Sequence, residues 1–225
     1  MNQLHPPLSR ARGVASAPDR PLVLVVDDDG HMRDALTELL QSVDLESMAF
    51  GSTLELLSRG MPDRPGCLLL DVRMPGLSGL DFQRQLLNDG ISKPIVFLTA
   101  FADIPMTVQA MKAGAVDFFT KPFRDQALLD AVGQAITLDR SHRDRRDEVR
   151  LSQSLLAQLT QRERQVFHHV VAGRLNKQIA FDLGISLITV KLHRGNMMRK
   201  LRSRSVGELI RLWEMLPADT KKLAS

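Results

Sequence analysis

The chain has 225 residues, of which 44% are hydrophobic and 25% are charged, a length that allows one large domain or two small ones. Its longest apolar runs, such as Leu22–Val26, have about five residues, which excludes a membrane-spanning helix of about 20. Residues 140–225 carry 18 Lys and Arg against 8 Asp and Glu, whereas residues 1–139 carry 12 against 18. The positive charge of the C-terminal part favours a nucleic-acid partner.

Residues 1–20 contain no apolar signal core and predict a disordered tail. The single cysteine, Cys67, cannot form an internal disulfide, so a reducing compartment is expected. Without a signal or a membrane span, the sequence predicts a cytoplasmic protein with no membrane partner.

Residues 21–138 alternate apolar runs with amphipathic stretches, which is typical of successive βα units. Strands are predicted at Leu22–Val26, Glu46–Phe50, 67–71, 94–98 and 116–119. Helical spacing of apolar residues predicts a helix after each strand, with Ser52 and Asp103 as two of the N-caps. The expected fold is an α/β, flavodoxin-like domain with a five-stranded parallel sheet in the order 2-1-3-4-5.

Residues 139–157 form a mixed-charge run that predicts a linker, which a continuation of the preceding helix would make helical. Residues 158–225 show no strand pattern and instead four short helical patterns. Asn176 and Ser186 are placed to cap the second and third of these helices. Two short helices joined by a Gly-containing turn predict a small all-α helix-turn-helix domain.

Charged residues stand directly after two strands that the predicted order makes neighbours. Asp71 ends the apolar run 67–71, where a buried charge is costly unless something uses it. Asp27, Asp28 and Asp29 follow the first strand, which the order 2-1-3-4-5 places beside the third. Carboxylates brought this close either raise a pKa or hold a cation, and oxygen ligands favour Mg²⁺. The sequence therefore predicts a magnesium site at this edge of the sheet.

Thr99 and Lys121 follow the fourth and fifth strands and are expected at the same edge. Asp71 could then attack phosphorus, while Mg²⁺ and Lys121 neutralise the phosphoryl oxygens and Thr99 hydrogen-bonds one of them. Each residue alone also fits an ordinary explanation: a solvated acidic turn, a strand-end threonine or a surface lysine. Their combination at the ends of four strands favours a phosphoryl-receiving site.

The sequences around these residues resemble the receiver domain of two-component response regulators, over about residues 21–138. The similar stretches, the last of them FixJ-like, are residues 25–29, 70–76, 99–100, 121–123 and 103–115. The resemblance implies that a sensor histidine kinase phosphorylates Asp71. Asp28, Asp71 and the backbone carbonyl of Arg73 are the implied Mg²⁺ ligands, and Asp27 is implied to act through water.

The resemblance also implies a conformational switch at Phe118, where many receivers have tyrosine. When Asp71 is phosphorylated, Thr99 would move towards the phosphoryl group and Phe118 would follow it. This movement would remodel the face formed by residues 103–124, through which the protein would form a homodimer.

The third helix of the basic domain has the composition of a DNA recognition helix, with an apolar inner face and a basic outer face. The outer face is formed by Ile188, Lys191, Leu192, Gly195 and Arg199. Lys191 can reach guanine acceptors, and Leu192 can touch thymine methyl groups. Phosphate contacts are expected from Asn176, Lys177, Thr189 and Arg194.

Three stretches of this half resemble the LuxR/FixJ-type helix-turn-helix: residues 159–163, 176–180 and 189–194. The resemblance implies binding to double-stranded promoter DNA. The apolar stripe of the last helix, Val206, Leu209, Ile210 and Trp213, is expected to complete the small core, and the resemblance adds dimerisation on DNA through this helix. Family members often have a basic or polar side chain where this chain has Gly195, so one base contact is missing here. Charge alone also fits a small helical protein-binding module with a solvated basic face.

The leading hypothesis is a DNA-binding transcriptional response regulator, not an enzyme, switched by Mg²⁺-dependent phosphorylation. The resemblance favours activation, with RNA polymerase as a further partner. Haloacid dehalogenase-like phosphatases also use an aspartate nucleophile and Mg²⁺, but they need a second acid two residues later, where this chain has Arg73. A third interpretation is a binding module in which Asp71 is vestigial and the DNA-binding domain is constitutively active.

Overall fold

The structure, a computed structural model, describes residues 20–101 and 103–217, and the chain divides into two compact units between His142 and Arg143. The predicted tail at residues 1–20 lies outside the described residues, except for Arg20. Among the residues described, no helix is both long enough and apolar enough to cross a membrane.

The first unit alternates strands and helices in the predicted order. Its strands are β1 (Leu22–Val26), β2 (Glu46–Phe50), β3 (Gly66–Asp71), β4 (Ile95–Thr99) and β5 (Asp117–Thr120). Its helices are α1 (Gly30–Gln41), α2 (Thr53–Arg59), α3 (Gly79–Asn88), α4 (Ile104–Lys112) and α5 (Asp125–Ala157), the last of which contains the point of division. All strand pairs are parallel and the sheet order is β2-β1-β3-β4-β5, which confirms the predicted fold.

The three central strands, β1, β3 and β4, are buried on both faces, as continuous apolar strands require. Alternate side chains point to opposite faces, so Leu24 and Leu68 pack in one apolar cluster and Val23 and Cys67 in the other. Burial raises the pKa of the Cys67 thiol to about 12, so the thiol stays protonated and unreactive at neutral pH.

Three strands differ from the prediction by one residue: β3 begins earlier, at Gly66, and both β4 and β5 are shifted towards the C-terminus. β4 begins at Ile95 rather than at residue 94, because Pro94 has no backbone N–H for the ladder. Thr99 is therefore the last residue of β4 rather than the residue after it. The charged run at residues 139–157 lies entirely within α5 and is helical.

The second unit, described by itself, is all-helical. Its elements are α6 (Gln161–Val171), α7 (Asn176–Leu183), α8 (Leu187–Lys200) and α9 (Val206–Met215), preceded by the last turns of α5. Val166, Phe167, Ile179, Val190 and Met197 are fully buried and form the centre of one core. A capping box formed by Thr160 and Glu163 starts α6.

The prediction that Asn176 caps α7 is wrong. Leu175 occupies the cap position, and its backbone N–H donates to Oε1 of Gln178 at 2.8 Å. Oδ1 of Asn176 instead accepts a hydrogen bond from Nη1 of Arg194 at 2.7 Å. A contact with Arg194 of α8, 18 residues further along the chain, has displaced the local capping preference.

Candidate functional sites

Three carboxylates meet at one end of the sheet. β1 and β3 are adjacent and in register up to Val26 and Leu70, so the residues that follow, Asp27 and Asp71, are neighbours. One carboxylate oxygen from each of Asp27, Asp28 and Asp71 lies within 4.8 Å of the other two. Asp27 and Asp71 are buried and Asp28 is exposed, so the cluster opens to solvent on one side.

Lys121 lies between the two buried carboxylates. Its Nζ donates to Oδ2 of Asp27 at 2.6 Å and to Oδ1 of Asp71 at 3.3 Å. The position follows from the sheet, because the backbone N–H of Lys121 donates to the carbonyl of Thr99 at the end of β4. Three carboxylates and one ammonium leave an excess of negative charge at this point.

The charges of this cluster shift its pKa values. Burial raises the pKa of Asp71, Lys121 opposes that rise, and the charge of Asp27 adds to it. For Lys121, burial alone would lower the pKa, but its hydrogen bond to Asp27 and the charges of Asp71 and Asp27 outweigh burial and raise it. A cation at the open side would favour the ionised form of Asp71.

This donor set fits Mg²⁺. All three groups are carboxylates, which are hard oxygen ligands, and one of them is open to water, which Mg²⁺ keeps in its coordination shell. The excess negative charge left by Lys121 suits a divalent cation. Asp27, Asp28 and Asp71 are the residues that could hold it.

Thr99 lies at the same sheet edge as the carboxylates and is fully buried. Its hydroxyl donates to the carbonyl of Phe101 at 3.2 Å and accepts from the N–H of Phe101 at 3.3 Å. The Arg73 guanidinium lies over the Phe101 ring, 5.3 Å from its centroid. A phosphoryl group on Asp71 would compete with the Phe101 backbone for the Thr99 hydroxyl.

Phe118 lies on β5 and is half-buried. It pairs with Phe97 in the sheet register, and the two rings are tilted at 43° with centroids 6.0 Å apart. The ring therefore rests against the apolar cluster beside α4. The structure places Phe118 on the strand next to Thr99, and its role as a switch stays a prediction.

Gly79 is a residue of this site that sequence reasoning missed. Its N–H donates to the carbonyl of Val72 at 3.0 Å, so the start of α3 lies directly against the end of β3. A Cβ atom at this position would lie 2.3 Å from the carbonyl oxygen of Asp71, which is too close without a backbone shift. Glycine is therefore needed for the close approach that fixes the backbone of the acidic strand.

We expect Gly79→Ala to lower the free energy of unfolding by about 2 kcal/mol, the usual size of an overpacking cost. Gly133→Ala is the matched control, because a Cβ at this helical position in α5 meets no atom within 4 Å. Replacing this helical glycine by alanine should raise the free energy of unfolding by about 0.5–1 kcal/mol. Urea unfolding of both variants tests the difference, and equal stabilities would contradict the close-approach account.

The second unit presents a partly apolar, partly basic helix face to solvent. Ile188 and Leu192 on α8 are 80% and 61% exposed, and Lys191, Gly195 and Arg199 on the same face are also exposed. The opposite face carries the buried Val190 and Met197. The structure thus brings together the residues predicted to face DNA bases.

A groove of about 520 Å³ beside the start of α7 collects positive charge. Its cationic lining residues are Arg174, Lys177, Lys191 and Arg194, and within the described residues no acidic side chain lines it. Thr189, also predicted to contact phosphate, lies next to the start of α8, where its hydroxyl is 2.8 Å from that of Ser186. Sequence reasoning missed Arg174, although a cation in the turn after a helix-ending glycine was a usable signal.

Comparisons with known proteins agree with this architecture. Residues 23–133 match the family described as response regulator receiver domain, and residues 157–213 match bacterial regulatory proteins, luxR family. The chain is 52% identical over 204 residues to nodulation protein W of Bradyrhizobium diazoefficiens, covering 91% of this chain and 90% of that protein. It is 42% identical over 207 residues to the transcriptional regulatory protein FixJ of Azorhizobium caulinodans, covering 90% and 97%.

Among solved structures, the response regulator StyR is 47% identical, with a TM-score of 0.79 over 87% of this chain and 98% of that one. An acidic sheet edge followed by a helix-turn-helix unit defines a class of regulator, not of enzyme. The chain belongs to the two-component response regulators that join a receiver domain to a LuxR-type DNA-binding domain. The receiver domain implies a histidine kinase partner, and the LuxR-type domain implies DNA binding.

Proposed function

We propose that the chain is a transcription factor switched by transfer of a phosphoryl group from a sensor histidine kinase to Asp71. The observation that carries this proposal is the placement of the Asp71 carboxylate, which lies 3.3 Å from Nζ of Lys121 and beside Asp27 and Asp28. An oxygen of Asp71 attacks phosphorus as the bond to the kinase histidine breaks, and Lys121 neutralises the transferred oxygens.

Mg²⁺ supplies further neutralisation of the phosphoryl oxygens when it is bound. Asp28, Asp71 and the backbone carbonyl of Arg73 would hold it, and Asp27 would act through water. Asp27 suits an indirect role, because Oδ2 already accepts from Lys121 and Oδ1 accepts from the N–H of Asp29 at 3.0 Å. Asp71 and Asp28 then have the oxygens best placed for direct ligation.

Phosphorylation would be read out through Thr99 and Phe118. The Thr99 hydroxyl gives up its hydrogen bonds to the Phe101 backbone and donates to a phosphoryl oxygen instead. Phe118 then moves into the space that this opens. The face formed by residues 103–124 changes with them. On α4, Ile104, Val108 and Met111 lie at helical spacing and are 82%, 43% and 42% exposed, an apolar stripe suited to a second copy of the chain.

Dimerisation brings two recognition helices onto paired half-sites of promoter DNA. The exposed face of α8 reads bases, with Lys191 donating to guanine and Ile188 and Leu192 packing against thymine methyl groups. Asn176, Lys177, Thr189 and Arg194 bind phosphates, and we add Arg174 to this set. The role is that of an activator, which then contacts RNA polymerase.

Incubation of the full chain with acetyl phosphate, with and without Mg²⁺, tests this proposal. We expect Mg²⁺-dependent incorporation at Asp71, a dimer on gel filtration and tighter binding to promoter DNA. If Asp71 is vestigial, neither incorporation nor a change in assembly will be seen, and DNA affinity will be the same with and without the phosphoryl donor.

A further inference from the structure

Arg33 stands in an unusual place for a cation. It lies in the first turns of α1, directly after the acidic triplet, where the helix dipole disfavours positive charge. Its Nη1 donates to the backbone carbonyl of Asp27 at 2.8 Å. Arg33 does not favour the stability of α1, but it does bond to the acidic turn. Its role is therefore to be found in that turn.

The carbonyl that Arg33 holds belongs to the peptide plane that joins Asp27 to Asp28. Fixing this plane sets ψ of Asp27 and φ of Asp28, and so the directions in which both carboxylates leave the backbone. The following peptide is held as well, because the N–H of Asp29 donates to Oδ1 of Asp27. Arg33 therefore acts on the one peptide that relates two of the three clustered carboxylates.

The guanidinium also lies beside the neighbouring loop. Nη1 lies 3.7 Å from where a Cβ atom at Gly51 would stand, so the group packs alongside the backbone that follows β2. The N–H of Gly51 donates to Oε2 of Glu55 at 2.8 Å, and the N–H of Asp27 donates to the carbonyl of Phe50 at 3.2 Å. Arg33 thus bridges the acidic turn to the end of the neighbouring strand.

We propose that Arg33 is a positioning residue for the cation site: it holds the Asp27–Asp28 peptide so that both carboxylates face the ion shared with Asp71. Neighbouring carboxylates repel each other, and a turn free to relax would let the exposed Asp28 move away. This inference rests on the proposed Mg²⁺ site and assigns a residue outside the ligand set to it.

Whether Mg²⁺ binding weakens or strengthens when Arg33 is replaced separates positioning from simple electrostatics. A guanidinium close to Mg²⁺ repels it, so if Arg33 acted only through its charge, removing that charge would strengthen Mg²⁺ binding. If Arg33 positions the carboxylates, removing it weakens binding despite the lost repulsion. Hydrogen-bonding partners that orient metal ligands typically change metal affinity by about 10–100-fold.

Calorimetric titration of Mg²⁺ into the full chain measures this effect. We expect Arg33→Gln to weaken Mg²⁺ binding about tenfold. We expect a smaller loss for Arg33→Lys, which keeps the charge but not the planar guanidinium. Arg64→Gln is the matched control, since Arg64 also donates to a backbone carbonyl, that of Arg20, but pairs with Glu46 at the opposite end of β2 from the acidic turn. Its Mg²⁺ affinity should stay within about twofold of the parent.

Urea unfolding in Mg²⁺-free buffer shows whether each variant is folded. Unchanged or tighter binding by Arg33→Gln would overturn the inference while leaving the metal site intact. Should Arg33→Gln fail to fold, Arg33→Lys decides, because the charge account predicts no change for it and positioning predicts a loss. A parent chain that binds no Mg²⁺ would remove the metal site itself, and this inference with it.

Discussion

Asp71→Asn is expected to abolish phosphoryl incorporation while leaving the fold intact. The amide has nearly the same shape as the carboxylate, but its nitrogen and oxygen are poor nucleophiles towards phosphorus. The full chain would be incubated with acetyl phosphate and Mg²⁺, and incorporation measured by intact-protein mass spectrometry. Labelling should fall to background.

The same substitution has a predicted dependence on pH. Burial raises the pKa of Asp71 in the folded protein, so the folded state binds this proton more tightly than the unfolded state does. The associated stability is present below the pKa of the unfolded carboxyl and is lost as pH rises through the folded pKa. Asp71→Asn avoids that loss, so in Mg²⁺-free buffer its stability advantage should grow from acidic to neutral pH.

Asp103→Asn provides the control for both measurements. It removes one carboxylate from the same domain, and asparagine caps a helix as well as the aspartate that caps α4 through the N–H of Met106. Asp103→Asn should retain labelling. Its difference in stability from the parent should not grow from acidic to neutral pH as that of Asp71→Asn does. Labelling that survives in Asp71→Asn would refute the assignment of the phosphoryl acceptor.

The sheet was predictable because each of its strands can be recognised from its own stretch of sequence. Continuous apolar runs identify buried strands, and parallel topology brings their carboxyl ends to one edge whatever lies between them. This is why the meeting of Asp27, Asp28 and Asp71 could be expected although Asp27 and Asp71 are 44 positions apart in the sequence. Their roles in phosphoryl transfer stay predictions, as do those of Thr99, Lys121 and Phe118.

The supporting residues were not predictable, because their partners are backbone atoms of other elements. Gly79 matters through the carbonyl of Asp71, and Arg33 through the carbonyl of Asp27. A sequence displays side chains but not which carbonyl they will approach. Asn176 was misassigned for a similar reason, since its side chain is taken by Arg194 from another helix.

Lys191→Ala is expected to weaken binding to specific promoter DNA by about 10–100-fold, the loss of one contact to a guanine edge at about 1–3 kcal/mol. Lys191 lies on the exposed face of α8 with Ile188 and Leu192, opposite the buried Val190. Binding to nonspecific DNA should change much less, because phosphate contacts supply it. The specific DNA is a promoter fragment identified by protection mapping, and the nonspecific DNA has the same bases in scrambled order. Fluorescence anisotropy with the phosphorylated full chain measures the affinity for each.

Lys177→Ala is the contrasting variant, because Lys177 lies on α7 rather than on the exposed face of α8 and should bind only phosphate. Its affinity should fall by a similar factor on both DNAs, and the slope of log affinity against log salt should become shallower by about 1. Lys191→Ala should leave that slope nearly unchanged, because a base contact releases few counterions. If Lys191→Ala instead lost equal affinity on both DNAs and shared the shallower slope, Lys191 would be a phosphate contact, and base reading would fall to Ile188, Leu192 and Arg199.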